Sequence, residues 1–356
     1  MPNTKDLFFQ NYLNNPGSKI GYNLLSILLF PIALIYGISM KVRRWFYKCG
    51  LFKSYRLDHP VVSVGNLTTG GTGKTPFEMY LIELCRELNL KPLILSRGYG
   101  SETEQAQVVI GTENKSISNL PDEISMIAAR YPDIPIAFGR DRYAAYQKAR
   151  QSFKFDIVIL DDGFQHLKIK RDLDIVILDS VQPYGAGRVI PSGNLREFKS
   201  SLKQADIIAH NYKFRKISES AVKHDLEVNF ELAEIVNYQT GQVIGADKLT
   251  SQPCGLLTAI GDPGSFKRML DDSGIEIQSE FLYRDHHKFT SDDLAEVQKI
   301  CIEQNIQSLV CTEKDAVKLA KICFEKPDIY IIKIHLKPVG EDRILKLRFE
   351  SLAQGT

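Results

Sequence analysis

The sequence predicts a mixed α/β protein in which a doubly wound, mostly parallel sheet is followed by a second, smaller α/β domain. Three observations lead to this prediction. Continuous apolar runs such as 156–160 alternate with helical patterns, as is typical of strands buried in a parallel sheet. This alternation stops at 226–246, where apolar and polar residues alternate instead, and it resumes at Gly255. Finally, 356 residues are more than one small core requires.

The composition is that of a globular protein, and it argues against nucleic-acid binding and against a zinc site. Apolar residues make up 44% of the chain and charged residues 25%, both ordinary fractions. The formal net charge of +2 argues against a strongly basic protein, so we expect no nucleic acid partner. The six cysteines are scattered, with no C-x-x-C pair and no zinc-ligand spacing to a histidine. We therefore expect reduced cysteines, most of them in the core.

The first element is an apolar helix, which we predict as a membrane-associating segment within residues 1–50. The run from Leu24 to Met40 is followed directly by basic and aromatic residues at 41–48, which suit a lipid headgroup layer. It has about the minimum length of a membrane-spanning helix, and Pro31 would kink it. Three interpretations remain open: shallow insertion into one leaflet, which we favour, a buried core helix, and a complete span. We expect no cleavable signal sequence, since the run lacks a small-residue cleavage site.

The second element is a strand at Val61–Val64 that runs through a Gly-rich loop into a helix over 75–88. Such loops bind nucleoside triphosphates, because backbone N–H groups, the helix N-terminus and one lysine converge on phosphate oxygens. Thr68 replaces the first glycine of the strict G-x-x-x-x-G-K-[ST] pattern, and the Gly70-Gly71 pair offers positive φ angles instead. A Gly-rich turn without a ligand is the alternative. The predicted phosphate-binding residues are Thr68, Thr69, Gly70, Gly71, Thr72, Gly73, Lys74 and Thr75, the last also placed to reach Mg²⁺.

The remaining elements continue the β-α alternation. In a first domain, predicted over 51–225, we expect strands at 91–96, 134–138, 156–160, 174–178 and 206–209 and helices at 121–131 and 141–150. A β-hairpin linker is expected at 226–246. In a second domain, predicted over 247–356, we expect strands at 256–260, 275–281, 308–311 and 329–334 and helices at 262–272, 290–304 and 313–323. Ligands of such sheets bind at the carboxyl ends of the strands.

Two adjacent aspartates follow the strand at 156–160. Asp161 and Asp162 therefore lie at the carboxyl edge of the predicted sheet, the Walker B arrangement in which a carboxylate holds Mg²⁺ directly or through water. Adjacent carboxylates repel each other, and a bound cation would offset that repulsion. An ordinary Asp-Gly turn is the alternative. With Thr75, these two aspartates are the predicted metal ligands.

An acid and a histidine in different domains are candidates for proton chemistry. Asp122 opens a predicted helix, where an acid either complements the helix dipole or acts as a general base on an acceptor hydroxyl. His286 follows a strand of the second domain, and a histidine paired with a carboxylate can orient that base. Arginines in loops of the first domain suit phosphate recognition, although at least two are expected to be solvated surface charges. They are Arg97, Arg140, Arg142, Arg188 and Arg196.

Together these motifs resemble those of the tetraacyldisaccharide 4'-kinases, and the resemblance covers nearly the whole chain. Thr68 belongs to that family's own version of the phosphate loop. The other matching segments are Ser63–Asn66, Gly70–Pro76, Ser96–Tyr99, Leu160–His166, Leu195–Glu197 and Thr312–Lys318. The segment Pro121-Asp122-Glu123 resembles the family's Gly-Asp-Glu-Pro, with Pro121 in place of the glycine and Ile124 in place of the proline.

The resemblance implies a lipid kinase. ATP would phosphorylate the 4'-hydroxyl of a tetraacylated glucosamine disaccharide 1-phosphate, forming lipid IVA in lipid A biosynthesis, with Mg²⁺ as the metal. The acceptor would lie in the cytoplasmic leaflet of the bacterial inner membrane, against which the N-terminal segment would hold the enzyme. Asp122, His286 and Lys74 would be catalytic. Substrate contacts are implied for Arg97, Tyr99, Glu123, His166, Arg196 and Glu197.

Two other functions are compatible with the phosphate loop. A membrane-associated P-loop ATPase would use hydrolysis as a switch, but it would leave the residues at 285–287 and the arginine loops without a task. A soluble small-molecule kinase would bury the N-terminal helix in its core. The burial of that helix and the fate of the γ-phosphate separate these alternatives.

Overall fold

A computed structural model describes residues 20–98, 105–111, 120–215, 224–319, 326–340 and 342–354, with side chains from Leu25 onward. Tyr99, one of the predicted substrate contacts, lies outside the described residues. The strands are β1 (Val61–Asn66), β2 (Pro92–Ser96), β3 (Gln107–Ile110), β4 (Pro135–Phe138), β5 (Ile157–Asp161), β6 (Leu173–Asp179), β7 (Ile207–Asn211), β8 (Leu226–Asn237), β9 (Val243–Ile244), β10 (Cys254–Thr258), β11 (Ile277–Leu282), β12 (Ser308–Thr312) and β13 (Asp328–Pro338). The helices are α1 (Ile20–Lys48), α2 (Lys74–Glu87), α3 (Asp122–Arg130), α4 (Arg142–Ser152), α5 (Asp247–Thr250), α6 (Pro263–Asp272), α7 (Ser291–Glu303), α8 (Glu313–Leu319) and α9 (Arg343–Gln354), with a 3₁₀ turn at Lys199–Gln204.

Within the described residues the strands form one continuous, mostly parallel sheet. Its order is β11-β10-β12-β13-β8-β7-β6-β1-β5-β2-β4-β3, with β9 paired to β8. Only the β3–β4, β8–β9 and β8–β13 pairs among these are antiparallel. The mixed α/β fold with a mostly parallel sheet is therefore confirmed. Strand β3 and the helices α5 and α9 were not predicted, although Leu345, Phe349 and Leu352 of α9 follow the spacing of a helix with one apolar face.

The predicted hairpin linker is part of this sheet. Strands β8 and β9 pair antiparallel, as a hairpin does. In addition, β8 pairs with β7 on one side and with β13 along nine positions from Asn237 to Val228 on the other. The sheet thus continues from one predicted domain into the next, and the domain boundaries stay a prediction.

Helices cover both faces of the sheet, which is the doubly wound arrangement. Successive residues of β1 point to opposite faces, and all six are buried. Val62 and Val64 pack in the same core as Phe77 and Leu81 of α2. On the other face, Val61 packs with residues of α4 such as Tyr146. Strands β1, β2 and β4–β8 run in one direction, and β10–β13 run in the opposite one. The carboxyl ends of the first group meet at one edge, where the phosphate loop follows β1 and Asp161 ends β5.

Helix α1 presents its large apolar side chains to the outside. The residues that face the body are small or polar: Ser26 is fully buried, Ala33 is 1% exposed, and a Cβ on Gly37 would lie 2.3 Å from the Phe198 ring. Its exposed large apolar residues are Ile27, Leu28, Phe30, Ile32, Leu34, Ile35, Ile38, Val42 and Trp45. The window Leu25–Lys48 is long and apolar enough to cross a membrane, and only 17% of it is buried. The alternative of a buried core helix does not fit this exposure.

Candidate active site

A cavity of about 570 Å³ lies at the carboxyl edge of the sheet. The phosphate loop from Gly70 to Thr75 forms one wall, together with Asp161 and Asp162. The opposite wall comes from the second half of the chain, including Asp262, His286 and Lys314. The same cavity also has an apolar part, which is lined by Phe214, Phe230, Phe266, Ile332 and Ile334. A polar end and an apolar end suit a triphosphate attached to a flat base.

Two glycines give the phosphate loop its shape. Gly70 has a φ of 116°, so one glycine of the predicted Gly70-Gly71 pair supplies a positive φ, whereas Gly71 does not. Gly73 has a φ of 92° directly before α2, and a Cβ there would lie 2.4 Å from Nδ2 of Asn211. No other residue type fits that position without displacing its neighbours. Thr68 instead takes extended backbone and bridges to Leu195.

Side chains from two strand ends hold the loop in place. Nδ2 of Asn66 donates to Oγ1 of Thr72 at 3.0 Å, and Nδ2 of Asn211 donates to the Thr72 carbonyl, also at 3.0 Å. The amide of Thr69 donates to the carbonyl of Asn194 at 2.7 Å. Because these bonds fix the loop from outside, its remaining N–H groups can point toward a phosphate.

Asp162 is held between two cations. Its Oδ1 lies 3.6 Å from Nζ of Lys74, and Nη1 of Arg196 lies 2.7 and 2.6 Å from its two oxygens. Burial by itself would raise the pKa of Asp162, but Lys74 and Arg196 keep that pKa below its ordinary value. Asp162 also has a φ of 46°, which turns the chain sharply after β5. The carboxylate is therefore ionised and fixed at the mouth of the phosphate loop.

Asp161 has different surroundings. Its Oδ2 accepts a hydrogen bond from Oγ of Ser96 at 2.7 Å. Glu78 of α2 lies behind it and is 2% exposed. Burial, with the Asp161 carboxylate beside it, raises the pKa of Glu78 well above its ordinary value. Sequence reasoning missed Glu78; the available signal was an acid on the apolar side of a helix, next to Phe77 and one turn after Lys74.

The oxygen atoms at this edge fit Mg²⁺. Thr75, Asp161 and Asp162 come together at the ends of β1 and β5, with two carboxylates and one hydroxyl. In kinase sites Mg²⁺ is held by one or two carboxylates, and substrate phosphates and water complete its shell. Among the described residues no group of three or more acidic, histidine or cysteine side chains forms a metal site by itself. This donor set therefore suits a magnesium ion that arrives with a nucleotide.

Asp122 and His286 lie in contact although 164 residues separate them in sequence; His286 lines the first cavity, whereas Asp122 lies just behind its lining, between Pro121 and Glu123. Nδ1 of His286 lies 3.2 Å from Oδ2 of Asp122. The hydrogen bond to Asp122 raises the pKa of His286 above its ordinary value, against the effect of burial. Burial by itself would raise the pKa of Asp122, but His286, Lys318 and Lys314 hold it below the ordinary range. The contact therefore favours the charged form of both side chains, and Asp122 carries no proton near neutral pH.

A second cavity of about 530 Å³ opens at the foot of α1. It is strongly basic and is lined by Tyr36, Met40, Arg43, Thr69, Arg97, Arg140, Arg142, Asp162, Gln165, His166, Ile190 and Arg196. Arg97, Arg142, Asp162 and Arg196 line both cavities, so the two meet at Asp162. Burial, together with Arg142 and further cations, lowers the pKa of His166 to about 3. His166 is thus a neutral side chain in a cationic wall.

The other predicted substrate contacts divide into two groups. Glu123 lines the first cavity, where its Oε1 lies 3.2 Å from Nζ of Lys314. Glu197 lines neither cavity: it is 4% exposed and forms a bidentate ion pair with Arg44 at 2.8–3.1 Å. Its position gives no support to a contact with metal, phosphate or sugar, since the ion pair to α1 already occupies both carboxylate oxygens.

The residues around the first cavity indicate the type of enzyme. A phosphate loop, a pair of aspartates at the end of the neighbouring strand and a carboxylate–histidine pair on the opposite wall are the parts of a P-loop phosphotransferase. The family model described as tetraacyldisaccharide-1-P 4'-kinase matches residues 25–352. The chain belongs to the tetraacyldisaccharide-1-P 4'-kinase family, and it is a lipid kinase that uses ATP and Mg²⁺.

Individual relatives agree with this membership. The tetraacyldisaccharide 4'-kinase of Halothermothrix orenii is 33% identical over 88% of this chain and 90% of its own length. That of Syntrophus aciditrophicus is 34% identical over 86% of this chain and 87% of its own length. Among solved structures, LpxK from Aquifex aeolicus in complex with ATP matches with a TM-score of 0.74 and 27% identity, over 92% of this chain and 99% of that one.

Proposed function

We propose that this chain transfers the γ-phosphate of ATP to the 4'-hydroxyl of a tetraacylated glucosamine disaccharide 1-phosphate at a membrane surface, forming lipid IVA. The observation that carries the proposal is the meeting of two cavities at Asp162. One has the parts of a nucleotide site. The other is basic and opens at the foot of an exposed apolar helix, where a phosphorylated lipid headgroup would enter.

The donor occupies the first cavity. Lys74 and the amides of the phosphate loop bind the β- and γ-phosphates, and the N-terminus of α2 adds its positive dipole. Thr75 and the aspartates at 161 and 162 would hold Mg²⁺, which neutralises part of the phosphate charge when bound. Arg196 keeps the Asp162 carboxylate oriented through its 2.6 Å contact. The apolar end around Phe230 and Phe266 receives the base.

Asp122 is the general base in this assignment. It accepts the proton of the 4'-hydroxyl as that oxygen bonds to the γ-phosphorus and the bond to the bridging oxygen of ADP breaks. His286, at 3.2 Å, orients the carboxylate. General bases of this kind contribute about 10²–10⁴-fold to rate. The lowered pKa of Asp122 keeps it ready to accept a proton at neutral pH.

The second cavity receives the acceptor sugar and its 1-phosphate. Guanidinium groups bind phosphate oxygens in a forked geometry, and five arginines line this cavity: Arg43, Arg97, Arg140, Arg142 and Arg196. His166 stays neutral there and can exchange hydrogen bonds with sugar hydroxyls. Tyr36 and Met40 place α1 in the same wall, so the acyl chains leave toward the apolar helix.

We place the enzyme on the cytoplasmic face of the bacterial inner membrane, with α1 inserted into one leaflet. The outward apolar side chains of α1 and the basic residues that follow them support this placement. ATP is supplied on that face. Binding to the membrane and to ATP does not require nucleic acid, and we propose no nucleic acid partner for a chain with a net charge of +2.

The test is a transfer assay with γ-labelled ATP, Mg²⁺ and tetraacyldisaccharide 1-phosphate in mixed micelles. We expect label in the lipid, and a loss of about 10²-fold or more with Asp122→Asn. Asp133→Asn is the matched control, since Asp133 is an exposed acid near the end of α3 whose partner is Arg86. Label that appears only as inorganic phosphate, whatever lipid acceptor is offered, would instead identify an ATPase.

A further inference from the structure

The segment Thr312–Lys318 has no task in the assignment above, although it carries four charged residues. It forms α8 and the end of β12. Helix α8 lies against α3, and the two helices exchange three ion pairs of complementary sign. These are Asp122–Lys318 at 3.7 Å, Glu123–Lys314 at 3.2 Å and Arg130–Glu313 at 3.0 Å. The helix of the second half thus binds the helix that carries the general base.

Lys318 is the most buried cation of this contact. Its side chain is only 3% exposed. A buried ammonium group is costly unless it is paired and hydrogen-bonded. Nζ of Lys318 donates to the carbonyl of Ala259 at 3.1 Å and lies 3.3 Å from Oδ1 of Asp315, besides its contact with Asp122.

Asp315 fixes that ammonium group to the sheet. It is fully buried and accepts hydrogen bonds from Oγ1 of Thr258 and Oγ1 of Thr312, both at 2.7 Å, and from the amide of Ala259 at 2.9 Å. Thr258 ends β10 and Thr312 ends β12. Lys318 is therefore a rigid support, whereas the His286 side chain is 44% exposed and sits in a loop.

We propose that Lys318 is a positioning residue, anchored by Asp315, that fixes the Asp122 carboxylate for proton transfer. This inference rests on the proposed role of Asp122 as the base. His286 and Lys318 both contact Oδ2 of Asp122. Because His286 and Lys318 both hold Oδ2, the other carboxylate oxygen, Oδ1, is left to accept the proton of the acceptor hydroxyl. Small displacements of a reacting group cost about 10²-fold in rate, which is the scale on which such a support matters.

Lys314 provides the matched comparison. It lies one turn earlier on the same helix, lines the first cavity, and bonds Asp285 at 3.0 Å and Glu123 at 3.2 Å. It contacts the pair only through Nε2 of His286, at 3.4 Å. Removing it also deletes a cation from α8 but leaves the Lys318–Asp122 contact in place.

The experiment is a double-mutant cycle in the full-length protein, with kcat and KM for ATP and for the lipid acceptor measured separately. Lys318→Met is expected to lower kcat by about 10- to 100-fold with little change in KM for ATP. In an Asp122→Asn background the same substitution is expected to change kcat by less than about twofold, because the carboxylate that Lys318 positions is already gone. Lys314→Met is expected to differ less between the two backgrounds than Lys318→Met, because Lys314 acts on Asp122 only through its charge and through His286.

The outcomes separate a failure of the positioning role from a failure of Asp122 as the base. Equal losses of kcat from Lys318→Met in both backgrounds would show a general structural role and overturn the proposal. If Asp122→Asn leaves lipid phosphorylation near the wild-type rate, the proposed base is wrong, and the positioning role falls with it. If Lys318→Met does not fold, as judged by Mg·ATP binding and thermal unfolding, Lys318→Gln replaces it, since an amide can still donate to the Ala259 carbonyl.

Discussion

At the scale of single residues, the charge state of each site group follows from its neighbours. Asp122 and Asp162 are both partly buried acids, yet each has a pKa below the ordinary value because cations or a histidine stand beside it. Glu78 is 2% exposed, and its burial, with the Asp161 carboxylate beside it, outweighs the effect of Lys74 and raises its pKa well above the ordinary value. Neighbouring cations or a histidine therefore favour the ionised form of Asp122 and Asp162, whereas burial beside a carboxylate favours the protonated form of Glu78.

The His286–Asp122 pair gives stability a specific dependence on pH. The pKa of His286 is raised in the folded protein, so its contribution is fully present below the ordinary histidine value, about 6.5, and is lost as pH rises through the raised value. The pKa of Asp122 is lowered, so its share is present above the ordinary aspartate value, about 3.9, and is lost as pH falls through the lowered one. The pair thus stabilises the fold in the window between those two limits.

We expect His286→Gln to reduce the free energy of unfolding at about pH 5.5 and to have almost no effect at about pH 9. Denaturant unfolding at both values measures the difference. His335→Gln is the control, because His335 has a side-chain exposure of 45%, close to the 44% of His286, but pairs with Glu231 away from the site. A cost of His286→Gln that grows with pH would contradict the assignment of the pair.

At the scale of elements, α1 has its side chains arranged the opposite way from a core helix. Ser26, Ala33, Gly37 and Arg44 face the body at intervals of seven, four and seven residues, and the large apolar residues face outward. The hydroxyl groups of Ser26 and Ser192 each donate to the other residue's carbonyl, at 3.1 and 2.9 Å. The helix thus contacts the body through small and polar residues, and its large apolar residues are exposed.

We expect the combined change Ile27→Ser, Leu28→Ser and Ile35→Ser to weaken binding to anionic phospholipid vesicles by more than about tenfold, at about 0.8 kcal/mol for each CH₂ group no longer inserted. Trp45, the one tryptophan in the sequence, is 55% exposed on α1, and its fluorescence reports insertion. Val243→Ser, Ile302→Ser and Leu347→Ser together remove equally exposed apolar residues elsewhere. If vesicle binding falls equally in both triple variants, α1 is not the segment that inserts into the membrane.

The last turns of α1 also hold the site loops. The guanidinium of Arg44 pairs with Glu197, donates to the carbonyl of Phe164 at 3.1 Å and lies over the Phe164 ring. Arg43 donates to the carbonyl of Gln165. Glu197 is next to Arg196, and Phe164 follows Asp162 by two residues, so α1 contacts both segments that meet where the two cavities join.

Arg44→Met is expected to lower the free energy of unfolding by about 3–5 kcal/mol, because it leaves the Glu197 carboxylate buried without its partner. Arg43→Met, on the neighbouring half-buried arginine, is expected to cost much less. Chemical unfolding monitored by circular dichroism measures both. A similar small cost for the two variants would mean that the Arg44–Glu197 pair contributes little to holding α1.

At the scale of the whole molecule, one sheet connects the two predicted domains. Strand β8 is shared between them, with β7 on one side and β13 on the other. Helix α2, which begins at the phosphate loop, packs in the same core as Leu336 of β13 and Phe349 of α9. The second half of the chain is thus built onto the first, and it contributes His286 and Lys314 to the far wall of the cavity.

This continuity predicts cooperative unfolding. In scanning calorimetry we expect one transition for the whole protein, and saturating Mg·ATP should stabilise it by about 2.7 kcal/mol at 100 times Kd. Lys74→Met should lose that shift while keeping the single transition. Two separate transitions, only one of which responds to Mg·ATP, would instead support independent domains with a boundary near 226–246.

Features that depend on neighbours in the chain were predictable from the residues alone. The phosphate loop, the aspartates after β5, the apolar character of α1 and the alternation of strands and helices are local patterns of turn chemistry and periodicity, and they predicted the fold class and the donor site. Resemblance to a family, not spacing, supplied the link between Asp122 and His286.

Contacts between distant segments became known only from the folded chain. It made the predicted linker into a shared strand, turned the apolar face of α1 outward, buried Glu197 against Arg44, and set Lys318 beside Asp122. The physical reason is the same in each case. A local pattern fixes which way a segment folds, but the partner of a side chain depends on which surfaces pack together, and residues 164 positions apart carry no local trace of that packing.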